Sequence, residues 1–342
     1  MSIILSPNRL QRAYLVTQTD PLTIPNSSGT ASVVGTNQAL FTKVSLQQII
    51  APIRRPDITG YRTTPYDMAG RQSGTWSFDC SLAGSGTAGT APDIDPLLVS
   101  IFGQAGTVSA GTSVTYSLSD SVDTFCLYHY RQPSSMQQRV GFGCVASDAR
   151  FVLGNDIAAV SASGTCVWVL DSDNFSTATA AEKGGLASFP TEPSSPTTHG
   201  QYAVVGFTGT VTMDSQTIAT LKTATIDIKT GSRLIDDTYN SYLPTAAIGD
   251  ERDVSISFTL DDTNTAAIKD LKAKAKTMTP VNITIQAGLI AGNIWTFNLT
   301  GVQLSEPKVN EGNKSVFQVS FDNCMAHGSS LSALDDIQLV IT

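Results

Sequence analysis

Gly84-Ser-Gly86-Thr-Ala-Gly89 matches the G-x-G-x-x-G spacing of a dinucleotide site, after an alternating apolar stretch and before a helical pattern. Such a site needs the helix to open at the glycines, so that its first N–H groups meet the pyrophosphate. Pro92 and Asp93 delay the helix here, no acidic residue follows in a second strand, and a Walker lysine is absent. The stretch reads as a flexible surface loop. The three histidines fall between two tyrosines (His129), in a Ser/Thr/Pro-rich stretch (His199) and near the C-terminal end (His327), which does not assemble a nucleophile and its base. Cys80, Cys126, Cys144, Cys166 and Cys324 contain no C-x-x-C pair and read as reduced thiols. Cys80 and Cys166, which alternate with apolar neighbours, read as small core residues. The acid pairs Asp236-Asp237, Asp261-Asp262 and Asp335-Asp336 lack calcium-loop spacing, and adjacent residues of a strand point to opposite faces. The expectation is a protein without a cofactor, without a metal and without enzymatic activity.

Composition points the same way. The 342 residues are 41% hydrophobic and 15% charged, enough for two folded, soluble units. Lys+Arg 21 against Asp+Glu 29 gives a net charge of −8, which disfavours a surface that grips nucleic-acid phosphates. The opening Met1-Ser-Ile-Ile-Leu5 is stopped by Pro7, Asn8 and Arg9 before a secretory apolar core forms, and no 18-residue apolar run follows. A cytoplasmic protein with no membrane contact is expected.

The elements that would position any site occur twice. Trp76, Phe78, Cys80 and Leu82 alternate with polar residues, as do Val254, Ile256, Phe258 and Leu260. Each strand follows an arginine (Arg71, Arg252) and leads to a helix. The first helix carries Ile94, Leu97, Leu98, Ile101 and Phe102, with Asp93 or Asp95 as cap, Pro96 in the first turn and Gly103 as stop. The second carries Ala267, Ile268, Leu271 and Ala275, capped by Thr263 or Asn264. Upstream, strands at 41–46 and 224–228 run into long polar and aromatic excursions, 47–70 and 229–251. Downstream, hairpins are expected from 150–153 with 165–170 and from 302–305 with 315–321. Residues 105–145 are an extra stretch of the first half, and 174–201 read as a linker.

Loops of more than about 20 residues within compact domains are uncommon unless functional. The two excursions hold Arg54, Arg55, Asp57, Tyr61, Arg62 and Tyr66 in the first, and Arg233, Asp236, Asp237, Tyr239 and Tyr242 in the second. Arginine with tyrosine is the composition of protein interfaces, so both are expected to contact other chains. Folding back onto their own domain is the competing expectation.

The run Gly70-Arg-Gln-Ser-Gly-Thr-Trp-Ser-Phe-Asp-Cys-Ser-Leu82, with Ser85 to Pro92 and Leu97 to Gly103, resembles the tail tube (major tail) proteins of long-tailed, siphovirus-type bacteriophages. Arg252 to Leu260 and Val302 to Val309 resemble the later part of the same family. The resemblance implies a mostly β protein with two tandem β-sandwich tube-like domains, each flanked by one α-helix. Oligomers of such domains form a β-barrel ring, and stacked rings form a virion tail tube, assembled in the host cytoplasm, through which DNA passes during ejection. The implied division is an N-terminal arm (1–34), tube domain 1 (35–173), the linker (174–201) and tube domain 2 with a C-terminal arm (202–342). Two tube domains per chain imply a trimer with pseudo-sixfold symmetry; a hexamer with one composite domain per chain is the alternative. A β-sandwich adhesion module of a phage or cell surface is the alternative from another class. The implied partners are the chain itself, tape measure, tail terminator and tail tip proteins, and DNA that passes without specific binding. Asp79, Asp227, Asp253 and Asp261 lie on the polar faces of the strands expected inside, as candidate lumen residues that repel phosphate mildly.

Overall fold

The computed structural model describes residues 10–57, 60, 66–131, 137–154, 156–197, 203–263, 265–310, 316–330 and 332–342. It begins with β1 (Gln11–Gln18), β2 (Asn26–Ser27), β3 (Thr30–Ala31), β4 (Gln38–Ala39), β5 (Lys43–Ile53) and β6 (Met68–Ser81). Helix α1 (Asp95–Phe102) precedes β7 (Thr107–Ser109), β8 (Ser113–Ser117), β9 (Thr124–Arg131), β10 (Arg139–Leu153), β11 (Ala159–Cys166) and β12 (Trp168–Asp171). The second half contains β13 (Val211–Met213), β14 (Gln216–Thr217), β15 (Leu221–Lys229), β16 (Arg233–Ile235), β17 (Ala246–Ile248) and β18 (Asp253–Asp261). Helix α2 (Ala266–Thr277) then leads to β19 (Val281–Ala287), β20 (Trp295–Gln303), β21 (Lys308–Asn310), β22 (Gln318–Ala326) and β23 (Ile337–Ile341). The chain is mostly β, with two α-helices among the described residues.

Both helices lie where the apolar spacing predicts them, but their caps differ. Ile94, not an aspartate, stands at the N-cap of α1, and Asp95 inside the first turn instead accepts a hydrogen bond from the Tyr116 hydroxyl (2.5 Å). Gly103 ends the helix at φ 79, where an added Cβ would lie 2.4 Å from the Ser121 carbonyl oxygen. Thr265 takes the cap position of α2, and Ile268, Leu271 and Ala275 are its buried stripe.

The strands of each half pair in the same order. In the first, β5 pairs β6, β6 pairs β11 and β11 pairs β10. In the second, β15 pairs β18, β18 pairs β22 and β22 pairs β21. The two sets join edge to edge: β10 pairs β15 antiparallel, from Asp148↔Lys229 to Leu153↔Ala224. The result is one sheet in the order β5-β6-β11-β10-β15-β18-β22-β21. Among the described residues its terminal strands β5 and β21 are each paired on one side only, so the sheet is open within the chain. The hairpins sit slightly off the expected positions: 165 and 166 close β11 and 168–170 belong to β12, while 302–303 belong to β20 and β21 begins at Lys308.

The stretch 105–145 builds what the second half lacks. Its β9 pairs β1 and the start of β10, which also pairs β12, while β1 pairs β4. Strand β10 thus serves two sheets, turning at Gly143 (φ 59), whose Cβ would stand 2.5 Å from the Pro21 carbonyl oxygen. A third sheet, β14-β13-β19-β20-β23-β8-β7, backs the open one. It includes β8 from the first half between strands of the same ladder series, so the halves share two sheets and one continuous apolar core.

Three segments expected outside the body are inside it. The N-terminal segment 1–34 is no free arm beyond residue 10, because β1 buries Ala13, Tyr14, Leu15 and Val16. The C-terminal tail ends in β23, inserted between β20 and β8 with Ile337, Leu339 and Ile341 buried. The expected linker, as far as residue 197, is a turn-rich cap over the β1–β9–β10 sheet: Leu186 is buried, Phe175 meets Phe189 edge-on, and Glu192 pairs with Arg12 (2.8 Å). Burial on both faces explains why Phe125–Tyr130 lacks the alternation of a one-sided strand, with His129 its one strongly polar member.

Candidate assembly interface

Alternation along the open sheet separates two faces. Trp76, Phe78, Phe151, Val160, Ile226, Ile256, Phe258 and Phe321 point into the core. The opposite face carries Ser, Thr and charged residues, and all four lumen candidates, Asp79, Asp227, Asp253 and Asp261, alternate onto it. This face is hollowed: a shallow concavity of about 450 Å³ spans the joint and is lined by Ser77, Asp79, Asp148, Arg150, Asp227 and Lys229, among others. The expected repulsive lining is not what the strands present. Asp227 pairs with Arg150 (3.5 Å) and Asp261 with Lys222 (2.9 Å), while Asp253 stands opposite Lys229 and Asp79 opposite Lys43 in the ladders. Each carboxylate has a cation beside or across from it, so the face alternates in sign. Cross-strand pairing at the joint selects such opposite charges.

The first excursion is a hairpin, not a loop. Strand β5 continues to Ile53 and β6 starts at Met68, so pairing persists well beyond the body. From Gln47 to Ile53 every residue is exposed, and Ile49, Ile50, Ile53 and Met68 are each 43–52% exposed. Arg54 lies 4.0 Å from Asp67, Arg55 pairs with Asp57, and Tyr66 is 96% exposed. Tyr61 and Arg62 lie outside the described residues. Beyond its base, where Gln72 and Gln48 bond to the body, this paired projection leaves its described apolar side chains in solvent.

The second excursion folds back. Strands β16 and β17 pair with each other, and Leu234 and Leu243 enter the second apolar cluster with Tyr14, Phe142, Trp168 and Leu170. The Tyr242 carbonyl accepts a hydrogen bond from the Gln72 N–H (2.7 Å), and its hydroxyl meets Thr179. Arg233, Asp236, Asp237 and Tyr239 remain exposed on this cover. The structure therefore splits the two sets of contact candidates between a projection and a lid over the chain's own core.

Among the described residues, the groups that might have done chemistry are dispersed and mostly buried. The His129 ring is 2% exposed in β9, donates from Nε2 to Gln11 Oε1 (2.7 Å), and burial with nearby Arg131 and Arg139 lowers its pKa to about 4. All five cysteines are free and buried, and burial pushes the Cys80 thiol up to about 12. The glycine motif is not a flexible loop but a latch between the halves. Gly84 N–H donates to Asn293 Oδ1 (2.6 Å) and Gly86 N–H to the Gly292 carbonyl (3.1 Å). A Cβ on Gly84 would fall 2.0 Å from the Gly292 oxygen, so glycine is what lets the backbones approach. Among the described residues no three metal-ligating side chains converge, and no helix is long and apolar enough to cross a membrane.

An open sheet with two unpaired edges, a hollow polar face and an apolar projection has the parts of a subunit built to be completed by others. The family model for the phage tail tube protein matches residues 9–323, nearly the whole chain. The chain belongs to the phage tail tube protein family. A search of curated proteins found no match to it. As a tail tube protein it is a structural component of a virion tail that assembles with copies of itself and other tail proteins. The edge strand β21 escaped sequence reading because its three residues after Pro307 carry no alternation long enough to register. The tail tube hairpin carried one usable signal, the pair Ile49-Ile50 within a β-favouring stretch.

Proposed function

We propose that this tail tube protein forms trimeric rings of pseudo-sixfold symmetry, stacked into the hollow tail tube of a siphovirus-type phage. The single observation that carries the reading is the joint between β10 and β15. It is an edge-to-edge union of two like-ordered four-strand sets, and it leaves the same two kinds of edge free at β5 and β21. Repeating that union between chains, β21 of one copy against β5 of the next, is a head-to-tail contact whose rotation closes into a ring and removes both free edges of this sheet. Three chains supply six sets, whereas a hexamer would need each chain to act as one set. The polar hollow face then lines the channel with Asp79, Asp227, Asp253 and Asp261. Its paired charges hold phosphates weakly in either direction, which suits passage of DNA without specific binding. Tape measure, tail terminator and tail tip proteins are the expected neighbours along and at the ends of the tube, which assembles in the host cytoplasm. The exposed hairpin residues Arg54, Arg55, Asp57 and Tyr66, with Tyr61 and Arg62, serve contact between rings; Arg233, Asp236, Asp237, Tyr239 and Tyr242 lie on the cover outside the sheet, where neighbouring subunits meet it.

Electron microscopy of purified, assembled protein tests this. End-on averages should show threefold modulation on a sixfold frame. A strict sixfold average with six chains per ring, or a monomer that never associates, is the opposing result.

A further inference from the structure

We infer that the apolar band formed by Ile157, Val205, Phe207, Leu289 and Ile290 is the seat for the β5–β6 hairpin of a second copy in the next ring. The inference rests on the stacked-ring reading above and adds the receiving surface to it.

The band is one surface made by three segments that bond to one another. Ile157 bridges Val205, and the Gly206 N–H donates to the Asp156 carbonyl (2.7 Å). The Gly288 N–H in turn donates to the Thr208 carbonyl (2.9 Å), which sets Phe207 on one strand of chain beside Leu289 and Ile290 on the next. Ile157 is 55% exposed, Phe207 70%, Leu289 69% and Ile290 67%. Beside Phe207 lies a cleft of about 160 Å³ with Leu153, Val211, Ile218, Leu221 and Ile285 in its walls, room for aliphatic side chains. Exposed apolar patches of this kind mark interaction sites.

Position identifies the occupant. The ladder pairs place the hairpin tip at one end of the open sheet, beyond Gln72 on β6 and Ile50 on β5. The β10–β11 turn, from which Ile157 projects, lies at the other end, where Ser81 meets Ala159. A projection at one end and a matching seat at the opposite end give a heterologous contact that stacks without limit. The second half's counterpart of the hairpin is folded down as β16–β17, so among the described residues each chain offers one such hairpin. Exposed Arg54 on the hairpin and exposed Asp156 in the band add opposite charges. Because only one of the two sheet modules carries the hairpin, successive rings lock at one position per chain, not per module, and the tube keeps threefold register.

The test uses the full chain. F207S/L289S should form rings of wild-type diameter but sediment with about a tenfold or greater loss of polymer, since each fully buried apolar side chain contributes about a factor of ten or more to association. M278S, which alters an equally exposed residue at the C-cap of α2, away from the band, should polymerise normally. Wild-type polymer yield from F207S/L289S overturns the seat. Should that variant fail to form rings, I50C/F207C settles the matter without disrupting contacts: treatment of its assembled tubes with a short bismaleimide should give a ladder of cross-linked chains absent from I50C or F207C alone. The buried native cysteines keep the background low. Tubes without a ladder overturn the seat and leave the ring reading intact, whereas wild-type protein that forms neither rings nor tubes overturns both.

Discussion

A buried histidine shows how completely this chain gives its polar groups to structure. His129 is neutral in the fold because burial and two neighbouring arginines oppose its charge, with a pKa of about 4 against 6.5 for the free side chain. Between those values the unfolded chain binds a proton that the folded chain does not, so stability is full above about pH 6.5 and falls as pH drops towards 4. The loss amounts to about 3 kcal/mol. H129Q, which keeps a side-chain N–H in reach of Gln11 Oε1, should flatten this slope. Urea midpoints at pH 7 and pH 5 measure it; equal midpoint shifts for both proteins would go against a neutral His129. The same scale explains the Gly84–Gly292 contact: a spacing typical of phosphate binding is used for close approach of two backbones, a use that residue types alone do not distinguish.

At the scale of elements, stability and assembly separate. Phe151 on β10 is fully buried at the joint between the sheet modules and packs against Phe297 of the backing sheet at 5.1 Å between ring centres. F151A should lower unfolding free energy by about 3–5 kcal/mol. Removing the hairpin tip between Ile50 and Gln72 with a two-residue turn should leave the denaturation midpoint within about 0.5 kcal/mol of wild type, because the described residues removed are exposed apart from half-buried Gly70, yet abolish stacking. Paired urea melts and sedimentation runs check both; a tip deletion that melts early would place the hairpin in the fold. The contrast also accounts for what could be read in advance. The alternating strands around Trp76 and Val254, the helices ended by Gly103 or holding Ile268 and Leu271, and the repeated order were legible because burial writes a period into the sequence. Residues 47–53 and 68–69 were not legible as strands: exposed on both faces, they have no period and look like loop. The cover at 174–193 failed for the converse reason. Irregular chain held by turns and a few contacts such as Phe175–Phe189 has the Ser/Thr/Pro composition of a linker.

Across the whole molecule, the duplication in sequence is not a division in energy. One apolar core runs through both halves, β10 pairs β15, β8 pairs β23, and the glycine latch ties the β6–α1 connection to the β19–β20 turn. Two units joined by a linker could unfold in turn, but units that share two sheets lose the core of both when either opens. Calorimetry of the unassembled chain should therefore give one transition with equal calorimetric and van't Hoff enthalpies, and F151A should shift the whole of it rather than split it. Two resolved transitions, with F151A moving only one, would mean that the joint is a contact between independent domains. A single cooperative unit also makes physical sense for a subunit that leaves two sheet edges unpaired. In the proposed ring the edges at β5 and β21 gain their partners from other copies, so the strands that present them must be held in register beforehand by everything behind them.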